Sequence, residues 1–554
     1  MEKLDQDKIN KLKELVEHKS TREDYDIGTV ECLDAEPQFR VLVMRKEDGK
    51  TFTCDFSRTG LNNIPNMLLG MGLAYSSENL TKAIDSIMQN PRNYVKQHKH
   101  YQLGISSYTG DHIFKLDRAW NSLGKEVSTY AGDLKFNQKG NLEDYVNGLK
   151  DLVVNQPALL TTFVVGASGL VSQALCVSDT NMLLNLYGPT SVGKTTAEHL
   201  ALAFWGDPRS LTMTWNTTPG YVDDMLRRRG IVPLPVDDMS VVATSPRKQA
   251  EQVFALASGW TRGRHNEQAL RYFCPIITSS ETSLVDHMTN QETRGQLFRM
   301  LELEVKRGDL TKNLKHARAL EAFMQNNYGI GARKLGQFMV SNKLVDEELS
   351  RQHHAILEDL QNDKRLEHIE RAANRLSVLV LTCHIINECF DLGINEQNFR
   401  YFIIDATQKM FKKADDYIKK YKEFKHIIQE NITRFADSLD EYDDTQHLGV
   451  LDYNYFGNAM VLIETHRFEA LVNGVDINFI LEHKRHLKVE KDKKREQPIQ
   501  QKTIDMVRFW RAHGWVECLD EKQRHVRRRT LGGNQKVNGQ TSVYEIIIKD
   551  GDEE

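Results

Sequence analysis

The sequence predicts a multidomain α/β protein whose central part is a parallel sheet with crossover helices. Three observations predict it. From about residue 145, short apolar runs alternate with stretches of helical period. Between one such run and the next helical stretch lies a glycine-bearing octapeptide, Gly188-Pro-Thr-Ser-Val-Gly193-Lys194-Thr195. From 310 to 440 the pattern turns mostly helical, with long charged faces and few breakers.

A chain of 554 residues has room for three or four domains at about 150 residues each. Apolar residues make up 40% and charged residues 27%, which excludes a disordered tail protein and a small disulfide scaffold. The net charge of −4 excludes a uniformly basic nucleic-acid coat but leaves room for a local basic patch. Seven scattered cysteines, an odd number with no C-x-x-C pair, fit reduced thiols better than a disulfide framework or a zinc ribbon. Cys383, His384 and Cys389 sit in an apolar helical run and read as core. The first 19 residues are dense in charge and carry no apolar leader, so a cytoplasmic protein is expected. Pro157–Ser178 is uncharged and long enough to cross a bilayer. It is dotted with Thr, Ser and Gly and runs almost directly into an apolar strand, so a helix buried in a soluble core is expected, and no membrane partner.

The elements follow in order. Residues 5–19 read as a short amphipathic helix. Arg40–Met44 and Thr51–Phe56 flank an Asp48-Gly49 turn and predict a hairpin. Short helices follow near 61–73 and 77–89, and Tyr101–Ser107 with His112–Leu116 bracket a second turn. Residues 1–140 thus read as a small α+β domain. In 145–310 the buried strands are Asn181–Tyr187, Leu211–Trp215, Ile231–Val236, Tyr272–Thr278 and Met300–Val305. Residues 311–440 form a helical region. Residues 445–554 end in a compact unit with a helix (Ile504–His513), Trp515–Cys518, a basic Gly/Asn-rich stretch and a strand (Ser542–Lys549).

The octapeptide is a G-x-x-x-x-G-K-[ST] match in the strand–loop–helix setting that this motif requires. Backbone N–H groups of Gly188, Pro189, Thr190, Ser191, Val192, Gly193, Lys194, Thr195 and Thr196, proline excepted, would cradle the phosphates of ATP together with the helix N-terminus. Lys194 would neutralise β and γ charge, and the Thr195 hydroxyl would hold Mg²⁺. Asp237, at the end of the apolar run Ile231–Val236, is the second candidate for the metal. Asp238 stands where it would polarise the attacking water. Pro233 and Pro235 are unusual in a central strand, since each removes a ladder donor. Thr278 and Ser279, at the tip of another strand, are placed to contact the γ-phosphate or its water; ordinary capping of the next helix is the alternative. Arg299 opens a buried strand, where an arginine is rare. It is a candidate arginine finger for a neighbouring subunit, with an ordinary salt bridge as the alternative.

Residues 145–395 resemble a phage- and plasmid-associated bacterial family of P-loop proteins, long known as a domain of unknown function. That family includes MCM-like, self-loading hexameric helicases of mobile elements. The matching segments are Gly188–Thr196 with Phe204-Trp205-Gly206, Trp215-Asn216-Thr217, Leu234–Asp238, Gly259–Arg264, Thr278–Glu281, Gly295–Arg299, Tyr328-Gly329 and Arg371–Arg375, in shared order and spacing. Asp238 departs from the family's usual Glu, which fits slow hydrolysis. The resemblance implies an AAA+-type ATPase core assembled as a ring with ATP at subunit interfaces. It implies that Arg299 is the finger and that Arg371 or Arg375 is a second sensor arginine. It also implies that Trp260–Leu270 lies on a hairpin facing the channel, where Arg262, Arg264 and His265 would grip a nucleic-acid backbone. A solvated basic turn is the bland alternative there.

From Glu482 to Ile548 there are 16 Lys/Arg against 9 Asp/Glu. Helix, strand, basic stretch and strand is the order of a winged helix, and Arg524, Arg527, Arg528, Arg529 and Lys536 would contact duplex DNA phosphates. A merely solvated face is the competing reading. Trp510 and Trp515 read as core. Two function classes compete. The first is an ATP-dependent hexameric DNA helicase or replication initiator of a mobile element, translocating on single-stranded DNA. The second is a nucleotide-driven switch or anti-phage defence ATPase acting with partner proteins.

Overall fold

The computed structural model describes residues 25–32, 38–44, 51–57, 97–176, 181–212, 219–236, 256–261, 269–287, 295, 297–345, 347–454, 457–482, 499–512, 514–517, 527–529 and 541–548. The helices expected at 5–19, 61–73 and 77–89 lie outside the described residues. The chain divides into two compact units, Met1–Leu134 with Gly336–Leu344, and Lys135–Leu335 with Val345–Glu554.

The first unit holds an eight-stranded sheet. Its strands are β1 (Tyr25–Cys32), β2 (Gln38–Met44), β3 (Thr51–Ser57), β4 (Gln97–His100), β5 (Gly104–Tyr108), β6 (Asp111–Lys115), β7 (Arg118–Asn121) and β8 (Glu126–Tyr130), in the order β3-β2-β1-β4-β8-β7-β6-β5. β2 and β3 pair antiparallel from Gln38↔Ser57 to Met44↔Thr51, as the Asp-Gly signal predicts. β5 and β6 are joined by Thr109 and Gly110 at φ 49° and 81°, a two-residue turn whose twist matches that of paired strands. Phe114 on β6 is fully buried. Gly336 makes room for it, since a Cβ there would lie 2.4 Å from the ring.

In the second unit, β9 (Leu183–Tyr187), β10 (Leu234–Val236), β11 (Ile276–Ser280) and β12 (Met300–Glu304) form a sheet in the order β10-β11-β9-β12. Every pairing is parallel. Leu183, Leu184, Leu186, Ile276, Ile277 and Leu301 are all buried, as expected for strands covered on both faces. β10 stands at the edge of the described sheet. Pro235 is therefore tolerated there, because an edge strand can lack a ladder donor.

Of the strand expected at Leu211–Trp215, Leu211 instead closes a short helix, Pro208–Leu211, and Met213–Trp215 lie outside the described residues. Asp207 accepts from the Arg209 amide and Pro208 occupies the first helical position, the usual start signals of a helix.

The helices are α1 (Leu142–Leu152), α2 (Pro157–Leu175), α3 (Lys194–Ala203), α4 (Pro208–Leu211), α5 (Pro219–Arg229), α6 (Leu314–Asn326), α7 (Ile330–Ser341), α8 (Glu347–Gln361), α9 (Ala373–Phe390), α10 (Glu396–Glu430), α11 (Thr465–Val472), α12 (Ile477–Glu482) and α13 (Ile499–Ala512). Asn141, Asn313 and Asn395 cap α1, α6 and α10 by accepting from backbone amides. α2 is the one described helix long and apolar enough to cross a membrane, and it is buried inside the protein. Its hydroxyls are satisfied locally: Thr161 and Thr162 donate to Pro157 and Ala158 carbonyls. Gly166 lets α3 approach, since a Cβ would lie 2.7 Å from Ala201. Gly169 does the same for the Ile231 carbonyl, at 2.2 Å.

A third sheet comprises β13 (Phe435–Ala436), β14 (Gly449–Tyr453), β15 (Ala459–Glu464), β16 (Arg527–Arg529) and β17 (Thr541–Ile547), in the order β13-β14-β15-β17-β16. β17 pairs antiparallel with both β15 and β16. The strands expected in a final compact unit thus belong to a sheet that begins at Phe435, and the expected helix packs against α10. Trp510 is fully buried and donates to the Tyr417 carbonyl at 2.9 Å. Trp515 stacks on Tyr421 with ring centroids 3.9 Å apart. Both serve the core.

Candidate nucleotide site

β9 runs out at Tyr187 and the octapeptide follows. Gly188 has φ 153°, and a Cβ there would lie 2.1 Å from the Val305 carbonyl oxygen. Only glycine lets β12's exit segment pass this close. The Gly188 amide donates to the Ser280 carbonyl at 3.1 Å, tying the loop to β11. Ser191 and Gly193 have φ 63° and 100°, left-handed values that fold the loop back before α3 begins at Lys194. The Lys194 ammonium donates to the Gly188 and Pro189 carbonyls at 2.7 and 2.9 Å. Its charge is therefore held across the loop, beside the N-terminus of α3, where the helix dipole also favours an anion. Thr190 donates to Glu281 at 3.2 Å. Thr195 lies in the first turn of α3, with Thr196 after it.

The tips of the neighbouring strands are fixed in register. Thr278 pairs with Val236 on one side and Asn185 on the other. Its hydroxyl donates to the Val236 carbonyl at 3.3 Å, so it braces the residue that precedes Asp237. Ser279 is buried beside it. Asp237 and Asp238 lie outside the described residues. The described metal candidate, Thr195, offers a neutral hydroxyl oxygen, which suits Mg²⁺ once a carboxylate supplies the charge.

Behind the loop lies a polar network that sequence reasoning missed. Asn185 donates to Glu302 at 2.7 Å, and Ser280 donates to Asn185 at 3.2 Å. Glu302 also accepts from Ser283 and from the Leu284 amide. Asp286 is bridged by Lys413 at 2.8 Å and accepts from Tyr417 at 3.2 Å. Burial pushes the carboxyl pKa values of Asp286 and Glu302 up, and Lys413 partly offsets this. Burial alone would lower Lys413, but the two carboxylates more than compensate and its pKa is raised. The signal was present in the sequence as one polar residue inside each apolar strand, Asn185 in β9 and Glu302 in β12. Beside this network a cavity of about 430 Å³ opens between Tyr187, the segment Glu304–Asp309 and the α10 residues Phe402, Asp405 and Lys409.

The three arginines lie elsewhere. Arg299 is half-buried and immediately precedes β12. Arg375, on α9, is buried; it donates to the Asn181 carbonyl at 2.7 Å and the Phe298 carbonyl at 2.6 Å. The Arg371 guanidinium lies 5.7 Å from the Phe298 ring centroid. All three gather at the entry ends of β9 and β12, whereas the loop Gly188–Thr195 follows the exit end of β9. Seven residues separate Asn181 from Gly188, about 20 Å of extended strand. The structure therefore brings together Lys194, Thr195, Thr278 and Ser279, and sets Arg299, Arg371 and Arg375 apart from them.

Trp260 pairs with Arg271 in an antiparallel bridge. The Thr261 amide donates to Leu270 and the Tyr272 amide to Gly259, so the base of a hairpin stands immediately before β11. Trp260 is 55% exposed there, a degree of exposure that leaves one face of a large aromatic in solvent. Arg262, Arg264 and His265 lie outside the described residues, as do Arg524 and Lys536. Arg527, Arg528 and Arg529 form β16, paired with Val543, Ser542 and Thr541.

No curated protein matches the sequence. Residues 28–269 match the family described as a domain of unknown function, DUF927. That match starts earlier and stops earlier than the 145–395 span on which the sequence resemblance rests. Among solved structures, the chain is similar in fold to SCCmec type IV Cch, described as an active helicase. The likeness has a TM-score of 0.59 at 18% identity and covers 87% of this chain and 93% of that one.

Proposed function

We propose that the protein is an ATP-driven DNA helicase or replication initiator of a mobile element, working as a ring in which each nucleotide site is shared by two copies. The observation that carries this reading is the opposition of the two half-sites. The loop Gly188–Thr195 lies at one end of the parallel sheet, and Arg299 opens β12 at the other. An arginine about 20 Å of strand away is of no use to its own chain's nucleotide but is available to a neighbour's. The fold likeness to a helicase over most of both chains supports the same reading.

In this mechanism the loop amides and Lys194 hold the β- and γ-phosphates. The cavity beside Tyr187 receives the nucleoside half, its volume being ample for a base and ribose. Thr195 and Asp237 are the residues that would hold Mg²⁺, which neutralises phosphate charge when bound. Asp238 orients the attacking water, with Thr278 bracing the strand tip through the Val236 carbonyl and Ser279 beside it. Arg299 of the adjacent copy stabilises charge in the transition state, a role worth about 10³-fold or more in turnover. The hairpin based on Trp260 and Arg271 carries Arg262, Arg264 and His265 to the single strand. The basic tail, with Arg524, Arg527, Arg528, Arg529 and Lys536, holds duplex DNA.

The test is ATP-dependent separation of a forked duplex, with Lys194→Ala as control. Unwinding is expected with the parent protein and none with the variant. Arg299→Ala is expected to keep ATP binding and lose hydrolysis. ATP binding without strand separation, and with turnover answering to no DNA, would sink the helicase reading and leave the nucleotide-driven switch.

A further inference from the structure

The sequence puts Arg375 among the candidate nucleotide ligands, and its place in the fold argues for a different task. We propose that Arg375 is a positioning residue for Arg299, and that it serves the neighbouring copy's nucleotide through Arg299 instead of touching its own. This rests on the reading that Arg299 completes an adjacent site.

The geometry is specific. The Arg375 side chain is 4% exposed. Its Nε donates to the Asn181 carbonyl and its Nη1 to the Phe298 carbonyl. Asn181 lies just before β9 and Phe298 just before β12, and these strands are paired neighbours. One planar guanidinium thus fastens the entry ends of both strands. The Phe298 carbonyl belongs to the peptide bond whose nitrogen is that of Arg299. Because that unit is planar, fixing the carbonyl fixes the plane from which the Arg299 side chain departs. The Phe298 ring is held as well, by Arg371 on one side and by Phe411 with centroids 5.0 Å apart. Both the main chain and the side chain of the residue before Arg299 are therefore held, the first from α9 and the second from the turn before it and from α10. A lysine at 375 would reach one carbonyl but not both, since the fork is what spans the two acceptors. Direct contact with the chain's own phosphates is opposed by about 20 Å of strand between Asn181 and Gly188.

Mixing experiments separate the alternatives, using full-length chains and ATP turnover as readout. Each of Lys194→Ala, Arg299→Ala and Arg375→Gln is expected to be inactive alone. Mixing Lys194→Ala with Arg299→Ala should restore part of the activity, because some interfaces then carry an intact loop facing an intact finger. If that pair stays inactive, the shared-site reading falls and the role of Arg375 falls with it. Given restoration there, Arg375→Gln should be rescued by Lys194→Ala and not by Arg299→Ala. Rescue by Arg299→Ala instead would put Arg375 on its own chain's nucleotide and overturn the proposal. Should Arg375→Gln be rescued by neither, Arg375→Lys and the exposed Arg371→Gln decide. For both, turnover should fall about 10- to 100-fold, the scale of a small misplacement of a reacting group, with affinity for ATP unchanged. Weakened ATP affinity at unchanged turnover would overturn the positioning role.

Discussion

Gly188 and Gly193 are the two glycines of the loop between β9 and α3, and they are glycine for different reasons. At Gly188 the obstacle is the Val305 carbonyl, 2.1 Å from where a Cβ would sit. At Gly193 the nearest atom would be Thr311 Cγ2 at 3.4 Å, so only the positive φ of 100° resists a side chain. Left-handed strain costs about 1–3 kcal/mol, and forcing an atom into a filled space adds a similar amount. Gly188→Ala is therefore expected to lower the melting temperature more than Gly193→Ala. It should also abolish ATP binding, because the loop must move off β12. Equal melting temperatures for the two variants would contradict this account. Lys194 carries a second consequence at this scale. Its ammonium is already held by two loop carbonyls, so in the function proposed above the charge is in place before a phosphate arrives.

At the scale of elements, α10 is joined to the parallel sheet by Lys413, by Tyr417 and by Phe411. Lys413 meets Asp286 directly and influences Glu302, while both acids are buried among β9, β12 and the turn after β11. Removing one partner of a buried pair typically costs about 3–5 kcal/mol. Lys413 is 23% exposed, so Lys413→Met is expected to cost about 3 kcal/mol. Adding Asp286→Asn should recover part of that loss. The pH dependence has a definite sign. The two acids have raised pKa values in the fold, so they favour the folded state at low pH and disfavour it as pH rises past the ordinary carboxylate range. Lys413 has a raised pKa too, and its contribution persists until the solution becomes strongly alkaline. The stability gap between the parent protein and Lys413→Met should therefore be larger at pH 8 than at pH 5. A gap that narrows towards pH 8 in denaturant melts would refute it.

For the whole molecule, charge separates a net acidic chain from a basic C-terminal stretch. Replacing Arg527, Arg528 and Arg529 together is expected to weaken duplex binding and reduce its salt slope by about 2–3, near 0.9 for each phosphate no longer neutralised. An unchanged slope in binding titrations would make that run an ordinary solvated strand. Much of the central sheet was legible in the sequence, because strands buried on both faces read as nearly continuous apolar runs. The strand–loop–helix form of Gly188–Thr195 was legible because its turn residues lie within eight positions. The network of Asn185, Glu302, Asp286 and Lys413 was not, since its partners are more than a hundred residues apart and meet only through the fold. The address of Arg375 was not legible either: a motif names a residue type but not the end of the sheet it will reach. Leu211 itself was misjudged, because the Asp-Pro start of the helix it closes occupies only two residues.

The burial of α2 has a consequence for biosynthesis. The helix is apolar on every side, and its cover includes strands that leave the ribosome much later. α9 packs along it too, and from Leu175 to the end of α9 at Phe390 there are 215 further residues to translate. At about 5–20 residues per second, α2 waits roughly 11–43 s before its shelter can close. During that interval it offers chaperones and translocation machinery the same surface that a membrane anchor would. Slow or paused translation between the codons for residues 175 and 390 should therefore lower the yield of native protein, while pauses after 430, when α10 is also made, should leave this helix unharmed.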